Sequence, residues 1–199
     1  RWPSAPSPPG GSSRDPWALL VSCVISLRTK DAVTEVASRR LLSLARTPAE
    51  LASLPEEEIA AAIYPAGFYR TKARQLRAIA RILLESHGGR VPPEEGALLE
   101  LPGVGRKTAN LVLGLGFGVP AICVDTHVHR ISNRLGLVRT ATPAATEIAL
   151  RAVLPRDLWV PINDLLVTYG RTVCKPVSPW CSECRITPYC ARRGVIRSR

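Results

Sequence analysis

A glycine-marked turn directly before a lysine carries the clearest chemical signal in the sequence. Residues 101–105 read Leu-Pro-Gly-Val-Gly, and Arg106 and Lys107 follow at once. Glycines permit a tight turn, and a helix that starts behind the turn presents amides to an anion such as phosphate. The positive end of that helix disfavours an ammonium in its first turn, which favours a neutral, nucleophilic amine at Lys107.

The hairpin tip, Gly103, Val104 and Gly105, admits more than one interpretation. It could be no more than a tight connection between two helices. A P-loop is excluded because Arg106 stands between the last glycine and the lysine, and no strand precedes the turn as a dinucleotide-binding fingerprint requires. In a basic protein we favour non-specific contact with a nucleic-acid backbone, and we assign the tip and Arg106 to it.

Asp125 is the second candidate for a chemical role. It follows a break in the apolar pattern at Gly116, Gly118 and Pro120. Its position predicts the N-cap of a helix through 126–134, because an aspartate oxygen can accept hydrogen bonds from the first amides of a helix. Capping alone would explain this residue, so a catalytic role needs an independent argument.

Four of the six cysteines form a tight group near the end of the chain, with the spacing C-x6-C-x2-C-x5-C. They are Cys174, Cys181, Cys184 and Cys190. The sequence shows no secretory signal, so we expect metal ligation rather than structural disulfides. The spacing leaves zinc and an iron–sulfur cluster open, and it favours the cluster because zinc sites usually pair two short knuckles. Cys23 and Cys123 lie among apolar neighbours and are predicted to be core thiols.

The chain is strongly basic, with a formal charge of +11 over 199 residues. Such a charge could serve solubility alone, but it favours a polyanionic partner such as nucleic acid. Few of the basic residues are lysines, which makes a lysine beside the hairpin less easily dismissed as incidental. No apolar run approaches the ~20 residues needed to span a membrane. We expect a monomeric cytoplasmic protein with no membrane contact.

Apolar residues recur at helical spacing along most of the chain, and no alternating strand pattern interrupts them. Residues 1–13 are rich in proline and are predicted to be a disordered tail. Order is expected to begin with Asp15 as a helix cap. Further helices are predicted at 31–44, 71–86, 144–153 and 158–173. On the 71–86 helix, Lys72 belongs to a basic set expected to cover the polar face.

These elements predict an all-α protein with two helical lobes. Residues 14–119 form a six-helix bundle that ends in a helix-hairpin-helix. Residues 120–199 form a helical domain that carries Asp125 and the cysteine group, and the N-terminal segment is expected to join this second domain.

The segments LPGVGRKTA (101–109) and VDTHVHR (124–130) together resemble the endonuclease III family of DNA glycosylases, iron–sulfur members of the helix-hairpin-helix-GPD superfamily. The resemblance covers about residues 14–193. It implies a bifunctional glycosylase and AP lyase of base excision repair. Such an enzyme flips an oxidised pyrimidine out of double-stranded DNA, removes it, and cuts 3′ to the abasic site by β-elimination. A place on the bacterial nucleoid would follow.

The same resemblance implies roles for individual residues. Lys107 would attack C1′ of the sugar and form a Schiff base, and Asp125 would stabilise positive charge on the sugar and help to activate the lysine. The C-terminal cysteines would hold a [4Fe-4S] cluster with a structural and electrostatic role. Lysine at 107 favours the oxidised-pyrimidine branch, because the related adenine and thymine-mismatch glycosylases carry other residues there.

Two positions depart from the family pattern. Arg28 stands where many relatives have a glutamine that enters the gap opposite the flipped base. Phe68 aligns with an apolar wedge that is often leucine, although it could equally be an ordinary core aromatic. His127 matches the family's Asp-Thr-His segment and is expected to help position phosphate or sugar. The departures at Arg28 and Phe68 keep one alternative open, a glycosylase with altered base choice, for a mismatch or uracil. A non-catalytic DNA-binding module with a structural metal is a separate alternative from another class.

Overall fold

The structure, a computed structural model, describes residues 15–199, so the predicted disordered tail at 1–13 lies outside the described residues. Across residues 15–199 the regular elements are all helical, which confirms the all-α prediction. The α-helices are α1 (Pro16–Ser26), α2 (Asp31–Leu44), α3 (Pro48–Ser53), α4 (Glu56–Ile63), α5 (Tyr69–Ser86), α6 (Glu95–Glu100), α7 (Arg106–Phe117), α8 (Thr126–Leu135), α9 (Pro143–Val153) and α10 (Pro161–Thr172). None of these described helices has the length and apolar content needed to cross a membrane.

Capping residues explain several of the helix starts. The Asp15 carboxylate accepts hydrogen bonds from the amides of Trp17 and Ala18 at 3.1 and 3.3 Å, as predicted from the sequence. Thr47 and Glu50 form a capping box at the start of α3. The predicted helix at 31–44 is confirmed to the residue by α2.

The chain divides into two compact units, Arg1–Val119 and Pro120–Arg199. In the first unit, α5 packs against α3 and α4, and α1 packs against α2 and α7. The largest fully buried side chains of its core are leucines and isoleucines, such as Leu20, Leu41, Ile59, Leu76 and Ile79. This unit is therefore stabilised mainly by apolar burial between helices.

The second unit has a smaller apolar core. Helix α8 packs against α9 and α10, and the core cluster comprises Ile122, Val124, Val128, Ile131, Val138, Leu150 and Leu166. After α10, the segment 174–199 contains a single short turn of 3₁₀ helix at Thr187–Tyr189. Hydrogen bonds tie this segment to α8, because the Arg134 guanidinium donates to the carbonyls of Lys175 and Pro176 at 2.7 and 2.6 Å.

Candidate active site and cysteine centre

The glycine hairpin joins α6 to α7 as predicted. Gly103 has a left-handed backbone, with φ of 77°, and the amide of Val104 donates to the carbonyl of Leu101 at 3.1 Å. The Val104 side chain is buried and anchors the tip, whereas Gly103 and Gly105 are exposed. Gly105 is the N-cap of α7 and has no side chain to accept hydrogen bonds from the first-turn amides. The hairpin thus keeps the features of an anion site.

Lys107 lies in the first turn of α7 and its side chain is exposed. Arg106 beside it forms an ion pair with Glu95 of α6 at 3.6 Å. Behind the lysine, the buried thiol of Cys23 belongs to α1. Burial raises the pKa of Cys23 to about 11, and the positive charge of Lys107 opposes that rise. The charge of Lys107 is therefore within electrostatic reach of the Cys23 thiol on α1.

Asp125 is the N-cap of α8, which confirms the position predicted for it. Its Oδ1 accepts hydrogen bonds from the amides of His127 and Val128 at 2.8 and 2.9 Å. Within residues 15–199, the structure shows no hydrogen bond to its other oxygen, Oδ2, and the residue is half-buried. The cap therefore fixes the carboxylate in one orientation and leaves one oxygen for a further interaction.

His127 is held against α10. A Cβ at Gly170 would lie 2.2 Å from Nδ1 of His127, so the ring packs directly on the glycine backbone. A guanidinium nitrogen of Arg130 lies 3.2 Å from the same Nδ1 and donates to the Cys174 carbonyl at 2.9 Å. His127 is thus half-buried in a network that connects the start of α8 to the first cysteine of the group.

Arg28 and Phe68 come together in the first unit. The Arg28 guanidinium lies 5.7 Å from the centroid of the Phe68 ring, in cation–π geometry. Phe68 is 63% exposed, so its interpretation as an ordinary core aromatic was wrong. The turn around Phe68 also explains why α5 starts at Tyr69, two residues before the predicted start: Phe68 itself is the N-cap, in the left-handed region.

The four C-terminal cysteines line one cavity, together with Ile131, Tyr169 and Trp180. None of the cysteines forms a disulfide. Burial would raise the pKa of Cys184, but hydrogen bonds with the Thr187 and Tyr169 side chains and with backbone amides outweigh it, and the pKa is lowered. A lowered thiol pKa favours the thiolate, which is the metal-binding form.

Polar groups surround these sulfurs on several sides. The Tyr169 hydroxyl lies 2.9 Å from the Cys184 sulfur, a guanidinium nitrogen of Arg134 donates to Cys174 at 3.5 Å, and the Arg192 amide donates to Cys190 at 3.4 Å. Burial raises the pKa of Tyr169, and the hydrogen bond with Cys184 adds to the rise, so the hydroxyl keeps its proton. Donors of this kind stabilise thiolates bound to metal.

The predicted site residues are divided between the two units. The first unit contains Arg28, Phe68, the hairpin and Lys107, and the second contains Asp125, His127 and the cysteines.

The sequence interpretation missed Lys72, which was expected on the polar face of α5. Its side chain is buried, and it donates hydrogen bonds to the chain around Arg28. One signal in the sequence indicated this role: polar residues interrupt the apolar pattern at 26–31, and polar groups at the end of a buried helix need a hydrogen-bond partner.

Comparison with known proteins gives the class first. The family model described as "HhH-GPD superfamily base excision DNA repair protein" matches residues 21–156, which is more than half of the chain. The fold, the hairpin and the aspartate-capped helix after it agree with that class. The protein is therefore an HhH-GPD protein of base excision DNA repair.

Individual relatives narrow the class. The chain is 52% identical to "Endonuclease III" of Thermotoga maritima, a match that covers 93% of this chain and 89% of the relative. It superposes on a trapped endonuclease III–DNA covalent intermediate with a TM-score of 0.84 at 38% identity, covering 91% of this chain and 85% of that one. A thermostable thymine-DNA glycosylase matches with a TM-score of 0.81 at 28% identity, covering 90% and 84%. The chain belongs to the endonuclease III family, and the predicted enzyme class, a DNA glycosylase, is confirmed.

Proposed function

We propose that this protein is a bifunctional glycosylase and AP lyase that removes oxidised pyrimidines from double-stranded DNA. It acts as a monomer on the chromosome in the bacterial cytoplasm. The observation that carries the proposal is the exposed Lys107, which lies in the first turn of α7 directly behind the glycine hairpin. In a chain of the endonuclease III family, a nucleophile at this position accounts for both base removal and strand cleavage.

DNA binding is supported by charge and by the hairpin. The formal charge of +11 favours a polyanionic partner. The exposed Gly103 and Gly105 and the start of α7 suit a backbone phosphate. Two solved relatives are endonuclease III bound to DNA, one of them as a covalent intermediate.

The proposed chemistry starts at the Lys107 amine. The neutral amine attacks C1′ of the damaged nucleoside, the C1′–N bond breaks, and the base leaves with its bonding pair and takes up a proton. Ring opening of the sugar gives a protonated Schiff base between Lys107 and C1′. Loss of a proton from C2′ then expels the 3′-phosphate by β-elimination, and water releases the lysine. The strand is cut 3′ to the lesion.

Asp125 would act on the sugar rather than on the base. Its carboxylate is fixed by the two amide hydrogen bonds to Oδ1, and Oδ2 would stabilise the positive charge that develops on the sugar. It would also accept a proton from the lysine, directly or through water. His127, held beside it on α8, would contact the phosphate or sugar.

We propose that Cys174, Cys181, Cys184 and Cys190 hold a [4Fe-4S] cluster. Within the described residues, no group of three or more His, Cys, Asp or Glu side chains is placed to hold a single metal ion. In such a cluster each thiolate binds a different iron atom, so the donor set does not require three ligands on one ion. The four cysteines share one cavity and have hydrogen-bond donors around them, which fits the group. When bound, it cross-links segment 174–190 and adds local charge.

A borohydride trap on DNA with an abasic site tests the lyase chemistry. The wild type should give a covalent adduct, because borohydride reduces the Schiff base of Lys107, and Lys107→Gln should give none. The exposed lysines Lys30 and Lys175 provide matched controls, and Lys30→Gln and Lys175→Gln should trap as the wild type does. Trapping by Lys107→Gln at the wild-type level would remove this lysine from the mechanism. A wild type that binds DNA, traps nothing and releases no base from any damaged or mismatched duplex would be a non-catalytic module.

A second candidate function is a glycosylase with different base choice. The exposed stacked pair of Arg28 and Phe68 favours it, as does the similarity to a thymine-DNA glycosylase. A panel of duplexes carrying thymine glycol, a thymine mismatch or uracil decides between the two. Fastest release of thymine glycol supports the first function, and faster release of uracil or mismatched thymine supports the second.

A further inference from the structure

Arg28 and Phe68 project from two different turns that share one unusual backbone feature. Both residues lie in the left-handed region, with φ of 53° and 57°. Non-glycine residues rarely adopt that conformation, because it brings Cβ too close to the following carbonyl oxygen. They keep it only where the surroundings leave the chain no alternative, as is common at functional sites. The structure around these two turns shows what imposes it.

The Thr29 hydroxyl joins the two turns. Its oxygen accepts a hydrogen bond from the amide of Gly67 at 3.1 Å and another from the Lys72 ammonium at 2.8 Å. The hydroxyl proton points to the carbonyl of Leu27 at 3.4 Å. One donor and two acceptor positions are all that a hydroxyl offers, so Thr29 is fully used in holding residue 28 beside residue 68.

Lys72 completes the joint from inside the protein. The residue is 3% exposed, and its ammonium donates to the carbonyls of Ile25 and Leu27 at 2.6 and 2.5 Å as well as to Thr29. These carbonyls lie at the end of α1, where backbone acceptors lack partners in the helix. Three acceptors match the three protons of an ammonium, so the buried charge is satisfied by the turn that carries Arg28.

Gly67 allows the close approach of the two turns. A Cβ at this position would lie 2.5 Å from the carbonyl oxygen of Arg28, which is backbone and cannot move aside cheaply. With glycine there, the turns meet directly, and the guanidinium of Arg28 reaches the Phe68 ring. The two exposed side chains therefore form one rigid unit with a buried lysine behind it.

We propose that Lys72 is a positioning residue for the inspection of DNA: through Thr29 it holds Arg28 and Phe68 as one stacked unit, and so it sets the preference for the base opposite the lesion. The inference rests on the proposed function and on the contact with the base gap that the family resemblance implies for Arg28 and Phe68. A methionine of similar length would fill the same space, but it would leave the carbonyls of Ile25 and Leu27 without the donor that satisfies them. The three directed hydrogen bonds of the ammonium therefore fix the geometry of this turn.

The test measures binding to duplexes that hold a tetrahydrofuran abasic analogue opposite each of the four bases. Arg28→Ala defines the loss expected when the inspecting contact is absent. Lys72→Met should lose a similar part of the opposite-base discrimination. We expect the ratio of dissociation constants between the preferred and the disfavoured opposite base to fall about tenfold. In the double variant the losses should not multiply, because Lys72 acts through Arg28. A fluorescent purine analogue can be placed as the base opposite the abasic analogue. Its fluorescence should indicate weaker stacking in the complex with Lys72→Met than in the complex with the wild type.

Two further variants separate positioning from folding. Thr29→Val keeps the side-chain shape and removes the hydroxyl, and it should weaken discrimination even if Lys72→Met unfolds. Lys30→Met removes an exposed lysine next to the joint and should bind as the wild type does. Wild-type discrimination in Lys72→Met and Thr29→Val would overturn the proposal, and so would losses that multiply in the double variant. The lyase function is tested by borohydride trapping with the wild type, whereas this inference is tested by binding to an abasic analogue. Failure of one is therefore distinguishable from failure of the other.

Discussion

The two units of the molecule are stabilised in different ways. In the first, helices α1–α7 bury mainly aliphatic side chains, and among them lies one charged residue, the hydrogen-bonded Lys72. In the second, a small apolar core around α8 is followed by segment 174–199, which has one short 3₁₀ turn. That segment is held by Arg134 and, in our proposal, by the cluster. The first unit should therefore respond to loss of apolar volume, and the second to loss of its metal ligands.

The largest effect is expected from Cys184→Ser. Structural metal centres contribute on the order of 10 kcal/mol to the segments they fold. The variant should lose iron, sulfide and visible absorbance, and amides in 174–199 should lose their protection from hydrogen exchange. Amides in 15–119 should keep theirs. Cys23→Ser is the matched control for iron content, because Cys23 lies in the core of the first unit. Zinc alone in the wild type would contradict the assignment of the cluster.

Leu76→Ala addresses the first unit in the same way. Leu76 is completely buried on α5, and truncating such a leucine costs about 2–5 kcal/mol of the free energy of unfolding. Leu84→Ala on the same helix is the control, because Leu84 is 40% exposed and should cost less than about 1 kcal/mol. Denaturant unfolding measures both variants. If Leu76→Ala lost its iron as readily as Cys184→Ser, the contrast between the units would fail.

The buried lysine predicts a pH dependence that is specific to the first unit. Burial lowers the pKa of Lys72 from 10.5 to about 8. Between these values the unfolded chain binds more protons than the folded one, so the free energy of unfolding should rise with pH across that window. The rise should amount to about 3 kcal/mol, because each pKa unit corresponds to about 1.4 kcal/mol. The measurement compares the free energy of unfolding of the wild type with that of Lys72→Met at several pH values across the window. If the difference between them did not change with pH, the lysine would have the same pKa in the folded and the unfolded chain.

The smallest effect concerns the strained turn at Phe68. Phe68→Gly should be more stable than Phe68→Ala by about 1 kcal/mol, because glycine adopts a φ of 57° without steric cost. On the helix at Leu84 the order should reverse, with Leu84→Gly less stable than Leu84→Ala by about 1 kcal/mol. Thermal unfolding of the four variants gives both differences. The same order at both positions would show that the turn at Phe68 relaxes when the ring is removed.

Local signals made part of this structure predictable from the sequence. The bounds of α2 and the caps at Asp15 and Asp125 depend on neighbouring residues, so their side chains and the spacing of apolar residues predict them. The hairpin was recognisable because its glycines and the lysine are adjacent in the chain.

The joint behind Arg28 and Phe68 could not be predicted in this way. Its hydrogen bonds connect residues 25–29 to residues 67–72, about forty positions apart, and Lys72 lies in a run of basic residues that normally indicates a solvated helix face. Left-handed arginine and phenylalanine have no sequence signature, because the conformation is imposed by neighbours rather than preferred by the residue. Tertiary contacts decide both features.

The burial of Cys23 and Cys123 has a practical consequence for handling the enzyme. Both thiols are shielded in the folded protein, and the pKa of Cys23 is raised to about 11, so neither should react with an alkylating reagent at neutral pH. The C-terminal cysteines are only half-buried, and they would become available to the reagent once the proposed cluster is lost. The mass added by brief alkylation should therefore distinguish molecules that have lost only the proposed cluster from molecules that have also unfolded.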